Sequence, residues 1–176
     1  MNLAIADPPY LGRARRWYGD GRGHAGGRGV ADQHPDAAHW DDPGWHRALV
    51  AELADYDGWA IAAAPSSLPV YLAVVPDVRV MVWHRPNAVP SGHRVRSTWE
   101  AVLVNVPPER RAYGTGLPTN DVLECGVPQG RFAGAKPEAW TRWVLAALGY
   151  QPSDRVRDLF PGSGAVGRVL EQRVLL

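Results

Sequence analysis

The stretch that most restricts what this chain can fold into is its opening, Asn2-Leu3-Ala4-Ile5-Ala6-Asp7-Pro8-Pro9-Tyr10. Residues 3 to 6 are short, apolar and uncharged, as in a strand buried on both faces of a parallel sheet, and Pro8 and Pro9 cannot donate to a further ladder. The strand must stop at Asp7. Prolines fix φ, and Pro8 holds Asp7 extended, so the turn is rigid. Open α/β sheets bind ligands beyond the carboxyl ends of their strands, which puts Asp7 and Tyr10 at a site. A fixed carboxylate, an outward Pro8 carbonyl and an aromatic face suit a planar exocyclic amine, with acceptors for its two N–H groups and a ring to stack on. A strand that ends in a plain proline turn would carry the same residues.

The next segment, Leu11 to His39, has no apolar period and is rich in Gly and Arg, which predicts either a plain flexible insertion or a mobile flap leaving the turn directly and ordering on a nucleic acid, with Arg13, Arg15 and Arg16 on phosphates and Trp17 or Tyr18 near bases. Asp41 or Asp42 with Pro43 starts a helix that runs through Trp45, Leu49, Leu53 and Tyr56 to Gly58. Trp59 to Ala64 reads as a strand, Ser66 to Val75 as a short helix and Val78 to Trp83 as a third strand. His84 to Arg96 is loop-like and carries Arg85, Arg94 and Arg96. Trp99 to Val104 follows so closely that it is expected to pair antiparallel at the edge of the sheet. Residues 105 to 135 show no clear element and read as a surface excursion or a small recognition insert. Helical period returns from Pro137 to Leu148, before Gly149.

A second bend lies near the other end, Arg155-Val156-Arg157-Asp158-Leu159-Phe160-Pro161-Gly162-Ser163-Gly164-Ala165. A strand closes on an acid, a glycine turn follows, and a helix begins near Ala165. Gly162 and Gly164 let backbone approach a ligand closely, and a helix N-terminus offers N–H groups to a carboxylate. A dinucleotide site or an ordinary helix entry would look the same.

Asp7-Pro8-Pro9-Tyr10 resembles the DPPY motif of S-adenosylmethionine-dependent amino-methyltransferases, chiefly those acting on N6 of adenine, and Asp158 to Gly164 resembles their motif I, the DxFxGSG turn. Their order, catalytic turn before cofactor turn, is similar to that of the circularly permuted β group of DNA amino-methyltransferases. Trp83-His84-Arg85, Trp99 to Leu103 and Lys136-Pro137 also look like segments of that family. The resemblance implies a Rossmann-like methyltransferase fold: α/β, a mostly parallel sheet with helices on both faces and an antiparallel edge strand, permuted and shortened at the C-terminus. It implies S-adenosyl-L-methionine as cofactor, held by Asp158, Phe160, Gly162, Ser163, Gly164 and Lys136. It makes Asp7, Pro8, Pro9 and Tyr10 catalytic, with DNA adenine as substrate; cytosine N4, RNA or another amine are the alternatives. The family's next strand ends in an acid for the cofactor's ribose. Here Arg173 to Leu176 looks like the start of that strand, and no acid follows. Low cofactor affinity, another side chain in its place, a truncated gene, a homodimer or partner subunit completing the pocket, or a silent nucleic-acid-binding subunit would each account for that.

Composition narrows the setting. The 176 residues suit one α/β domain, read as a catalytic half over 1–104 including the loop 11–39, the insert 105–135 and a cofactor-binding segment 136–176. Apolar runs are broken by Pro65, Pro69 and Pro76 well short of a membrane span, and Cys125 is the only cysteine, so a soluble, cytoplasmic protein without disulfides is expected. Charge is divided: seven acids and only Arg47 fall in residues 32–57, whereas residues 79–113 hold six arginines. One face can therefore meet a polyanion, the nucleic-acid contacts being Arg13, Arg15, Arg16, Arg85, Arg94 and Arg96. His34 and His39 lack further ligands at metal spacing, so no metal is expected.

Overall fold

The computed structural model describes residues 1–18, 36–88, 94–112, 116, 118–128 and 134–174. Six strands form one sheet in the order β5-β3-β4-β2-β1-β6: β1 (Asn2–Ala6), β2 (Gly58–Ala63), β3 (Arg79–His84), β4 (Trp99–Asn105), β5 (Val122–Glu124) and β6 (Arg155–Asp158). The helices are α1 (Ala14–Tyr18), α2 (Pro43–Leu53), α3 (Leu68–Leu72), α4 (Glu138–Ala147) and α5 (Ala165–Val174). Parallel pairing joins β1 to β2, β1 to β6 and β3 to β5, while β4 runs antiparallel to both β2 and β3.

The period of two along each strand divides the core between two helical layers. Leu3 and Ile5 of β1, Ala60 and Ala62 of β2, Met81 and Trp83 of β3, and Val102 and Val104 of β4 pack with Trp140, Val144, Leu145 and Leu148 of α4 and Val166 and Val169 of α5. The alternate residues Ala4, Ala6, Trp59, Ile61, Ala63 and Leu103 meet Leu49, Val50 and Leu53 of α2 and Tyr71 of α3. Burying each large side chain contributes about 1.5–3 kcal/mol. The phase of this alternation places two acids: Asp7, one residue past β1, follows Leu3 and Ile5, and Glu100, within β4, precedes Val102 and Val104, so both belong to the face that α4 covers.

Several expectations change. The antiparallel strand β4 is not at the edge: it lies between β2 and β3, and the edges are β5 and β6. A short connection explained its pairing with β3 but said nothing of its second neighbour. The stretch expected to be a flap from residue 11 to 39 is folded at both described ends. The carboxylate of Asp41 accepts from the N–H groups of Ala14 and Arg15 at 2.9 and 3.1 Å, capping α1, and a 3₁₀ turn covers Ala37–Asp41. Residues 19–35 lie outside the described residues. Helix α2 starts as expected, with Asp42 accepting from Gly44 N–H at 2.7 Å, but stops at Leu53; Gly58 instead opens β2, where a Cβ would meet the Pro107 ring at 2.6 Å. The segment 105–135 supplies β5 to the sheet. Residues 173 and 174, expected to begin a strand, end α5. No helix among the described residues is long and apolar enough to cross a membrane.

The start of β1 and the approach to β6 are tied by Asp154. Its side chain is 1 % exposed and receives both guanidinium nitrogens of Arg110 at 2.6 and 2.8 Å, the Met1 amino group at 3.0 Å and Gln151 N–H at 2.7 Å. The paired Arg110 holds its carboxyl well below the ordinary range. Asp154→Ala should lower stability at pH 7 by about 3 kcal/mol, because it removes the buried carboxylate that takes both guanidinium nitrogens of Arg110 and the Met1 amino group. A depressed carboxyl contributes fully above its unfolded pKa of about 4 and less as pH falls through the folded value, so the wild-type advantage in urea denaturation should hold from pH 5 to 7 and shrink below pH 3.

Candidate active site

Both bends reach the same rim. Register in the β1–β6 ladder sets Ile5 opposite Asp158, and Leu159 N–H donates to Ile5 carbonyl at 3.0 Å, so the turns after Ala6 and after Asp158 leave the sheet side by side. Between them opens a cavity of about 460 Å³, lined on one side by Asp7 and Pro9 and on the other by Asp158 through Ser163. Gly162 and Gly164 have φ of +43° and +74°, which side-chain-bearing residues rarely adopt. The turn is pinned by Gly164 N–H on Pro161 carbonyl at 2.6 Å and by Arg168 on Ser163 carbonyl at 2.6 Å, and α5 begins directly after it. Asp158 accepts from Phe160 N–H at 3.2 Å; burial raises its carboxyl, against that hydrogen bond, and the charge of Asp7 adds to the rise.

A second cavity, of about 180 Å³, lies on the other side of Asp7. Its walls include Tyr10, Arg13, Trp17, Tyr18, Trp83, Arg85, Glu100 and Lys136. Asp7 and Lys136 thus line both spaces. Lys136, just before α4, is 8 % exposed, and its Nζ donates to both Asp7 carboxylate oxygens at 2.8 and 2.7 Å, to Tyr10 Oη at 3.1 Å and to Gly134 carbonyl at 3.4 Å. It also lies 3.4 Å from Glu100 Oε2. Tyr10 O–H donates to that same oxygen, and Arg85 Nη1 donates to Glu100 Oε1 at 2.7 Å. Two cations and two carboxylates are packed among Tyr10, Trp83 and Trp140, whose ring centroids stand 5.3, 5.7 and 5.8 Å from Lys136 Nζ.

The electrostatics follow from that packing. Burial alone would drive the Lys136 ammonium down, but Asp7 and Glu100 outweigh it and hold it above the ordinary lysine value. Burial would likewise raise Glu100, yet Lys136 and Arg85 keep it below the ordinary glutamate value. Asp7 is raised because desolvation exceeds the pull of Lys136, and Tyr10 is pushed well up by burial and the two carboxylates. Of the two carboxyls, the one on Asp7 moves up and the one on Glu100 moves down, because Glu100 has Arg85 as a second cation and Asp7 has Lys136.

Of the residues expected at the site, Asp7, Pro9, Asp158, Phe160, Gly162, Ser163 and Lys136 line the larger cavity, and Asp7, Tyr10, Arg13, Arg85 and Lys136 the smaller. Gly164 lies just beyond, in the turn. Pro8 is buried and lines neither cavity. Arg85, expected on phosphate, is bound to Glu100 instead; Arg96 donates to Ala88 carbonyl at 3.0 Å, and Arg15 and Arg94 are exposed. Nothing is described of the Arg16 side chain. Sequence reasoning missed Glu100, although an acid inside the apolar run Trp99 to Val104 of a buried strand is itself a signal that a partner waits for it. It also missed Asp36, Trp40 and Trp45 in the wall of the larger cavity, where Trp40 meets the Phe160 ring edge-on at 5.1 Å. Among the described residues no group of three or more His, Cys, Asp or Glu could hold a metal; His39 stacks on Trp45, and His34 lies outside the described residues.

With these two bends on one rim of a mostly parallel sheet sandwiched by helices, the chain has a Rossmann-like methyltransferase fold. Among solved structures it is similar to M1.HpyAVI in complex with SAM, with a TM-score of 0.56 and 18 % identity over 97 % of this chain and 77 % of that one. It is also similar to M1.HpyAVI alone, with a TM-score of 0.53 and 17 % identity over 97 % and 75 %. No protein-family model and no curated protein sequence matches the chain.

Replacing Lys136 by Met leaves Asp7 and Glu100 without their shared ammonium. Asp7 then rises further, so the folded state holds a proton that the unfolded state has released, and stability falls as pH rises. Urea denaturation should show Lys136→Met within about 1 kcal/mol of wild type near pH 4.5 and about 3 kcal/mol or more below it at pH 8. A gap that stays constant across that range would mean the ammonium does not compensate the two acids.

Proposed function

We propose that this protein is an S-adenosylmethionine-dependent methyltransferase acting on the exocyclic N6 amine of adenine in DNA. The observation that carries the reading is the position of Asp7, one carboxylate shared by a cleft of cofactor size and a smaller aromatic cavity. The similar fold of M1.HpyAVI, solved in complex with SAM, supports the cofactor part of that reading.

The larger cavity fits the cofactor. The glycine turn and the first N–H groups of α5 would receive its carboxylate, and Asp158 would take its ammonium. Phe160 and Trp40 offer an aromatic wall for its adenine. When bound, S-adenosylmethionine supplies an electrophilic methyl on a sulfonium, so the chain needs no covalent step of its own.

The amine of adenine is a weak nucleophile because its lone pair is delocalised into the ring. Asp7 accepting one N–H favours the pyramidal nitrogen and stabilises the positive charge that grows there during attack, and its placement by a rigid proline turn makes that stabilisation available without reorganisation. Tyr10, its hydroxyl fixed by Glu100, presents a ring for the base, and Trp17 and Trp83 line the remaining wall. Adenine N6 is stacked within a duplex, so the base must be flipped to reach this cavity. Arg13, at the mouth, and the exposed Arg15 and Arg94 are placed to meet phosphates.

Mass spectrometry of nucleosides from DNA of cells expressing the protein should reveal N6-methyladenine above the host background. Asp7→Ala should remove it, with transfer in vitro reduced by about 10²-fold or more and cofactor affinity changed only a few-fold. Unchanged methylation in that variant would remove Asp7 from the mechanism, and methylcytosine in place of methyladenine would reassign the substrate.

A further inference from the structure

In the arrangement described, the acceptor that methyl transfer requires is occupied: both Asp7 oxygens hold Lys136. A target amine cannot donate to Asp7 with full strength until that ammonium gives way. Building on the methyltransferase reading, we propose that Lys136 is an ammonium with two stations and that Glu100, a residue outside the motifs, is the second: entry of the target base moves Lys136 from Asp7 to Glu100.

The geometry supplies each requirement of such a move. Lys136 Nζ is 3.4 Å from Glu100 Oε2, and a displacement of about 0.6 Å along that line would give the ~2.8 Å of a charge-assisted hydrogen bond. Nζ has three protons and four hydrogen-bond acceptors, the two Asp7 oxygens, Tyr10 Oη and Gly134 carbonyl, so losing one Asp7 contact leaves it satisfied. Three aromatic rings at 5.3 to 5.8 Å surround it and favour a cation wherever it stands between the acids. The second station is itself immobile. Glu100 sits on an interior strand, 8 % exposed, with its other oxygen held by Arg85 at 2.7 Å. Arg85, whose guanidinium also lies 5.7 Å from the Trp83 ring centroid, therefore has a use other than phosphate binding: it keeps Glu100 ionised and aimed.

The device resolves an energetic conflict. An isolated carboxylate in an aromatic pocket is costly, and without a counterion Asp7 would take up a proton and lose much of its value as an acceptor. Lys136 keeps it charged in the absence of base. Glu100 then receives the ammonium when the amine arrives, so Lys136 keeps a carboxylate partner throughout, and Asp7 exchanges it for the N–H of the amine and the positive charge that grows on that nitrogen during attack. Glu100 and Arg85 act through Lys136 and are positioning residues.

Lys136 is the only lysine in the sequence, so ¹⁵N-lysine labelling gives a single side-chain ammonium resonance. In Asp7→Asn, which removes the first station while keeping its shape, the protected NH₃⁺ signal should persist at a shifted position; in Asp7→Asn combined with Glu100→Gln it should broaden into solvent exchange. Loss of the signal in Asp7→Asn alone, or its survival in the double variant, overturns the proposal. This readout needs no turnover, so it stands apart from the methyltransferase reading, which an absence of transfer by wild type would sink by itself. With cofactor and DNA, Glu100→Gln should slow single-turnover transfer at least 30-fold while calorimetric cofactor affinity changes less than threefold. A Glu100→Gln variant that transfers within threefold of wild type would mean that Lys136 has no second station on Glu100.

Discussion

Parallel pairing of two strands from opposite ends of the chain sets the rest of this molecule in place. Asn2 to Ile5 lie in register with Arg155 to Asp158, and that ladder alone brings an acid at position 7 and a glycine turn at position 162 to a common rim. Asp154, buried beneath Arg110 and the Met1 amino group, fixes the other end of the same pair. A one-residue slip in that ladder would turn Ile5 and Asp7 to the wrong face, so the packing of the α4 layer and the placement of the carboxylate are one constraint.

The same alternation explains why charge is buried where it is. Asp7, Trp83, Glu100 and Lys136 share the face that α4 covers, and there a lysine meets two carboxylates under three aromatic rings. An acid at that depth is tolerated only with its counterion, and a lysine so placed is tolerated only with its acids. The cluster is therefore cooperative. Two of its charged members, Asp7 and Lys136, line both the cofactor-sized cleft and the smaller cavity, and Glu100 and Arg85 back them from the smaller one, where a methyl group and an amine would have to meet.

How much of this was legible in the sequence depended on the range of each interaction. The two bends were readable because Pro8, Pro9, Gly162 and Gly164 act on their own backbone. Helix α2 was readable at its start, where Asp42 caps locally, and α1 was not, because its cap is Asp41, far along the chain. The interior position of β4 depends on pairing with β2, some forty residues away, and nothing in Trp99 to Asn105 names that neighbour. Strand β5 is three residues long and mostly exposed, below what any pattern resolves. Arg85 looked like a phosphate ligand because charge in a loop reads as solvated; only the register Trp83 opposite Glu100 reveals that its partner is an acid on the adjacent strand.

The central claim is that the turn at Gly162 and the turn at Asp7 build one methyl-transfer site, and calorimetric titration with S-adenosylmethionine tests it most directly. The account predicts one saturable site per chain in the wild type and its loss in Gly162→Val, because a β-branched residue cannot hold φ of +43° without deforming the cradle. Absence of binding at millimolar cofactor, or binding that Gly162→Val leaves untouched in a folded protein, would contradict it.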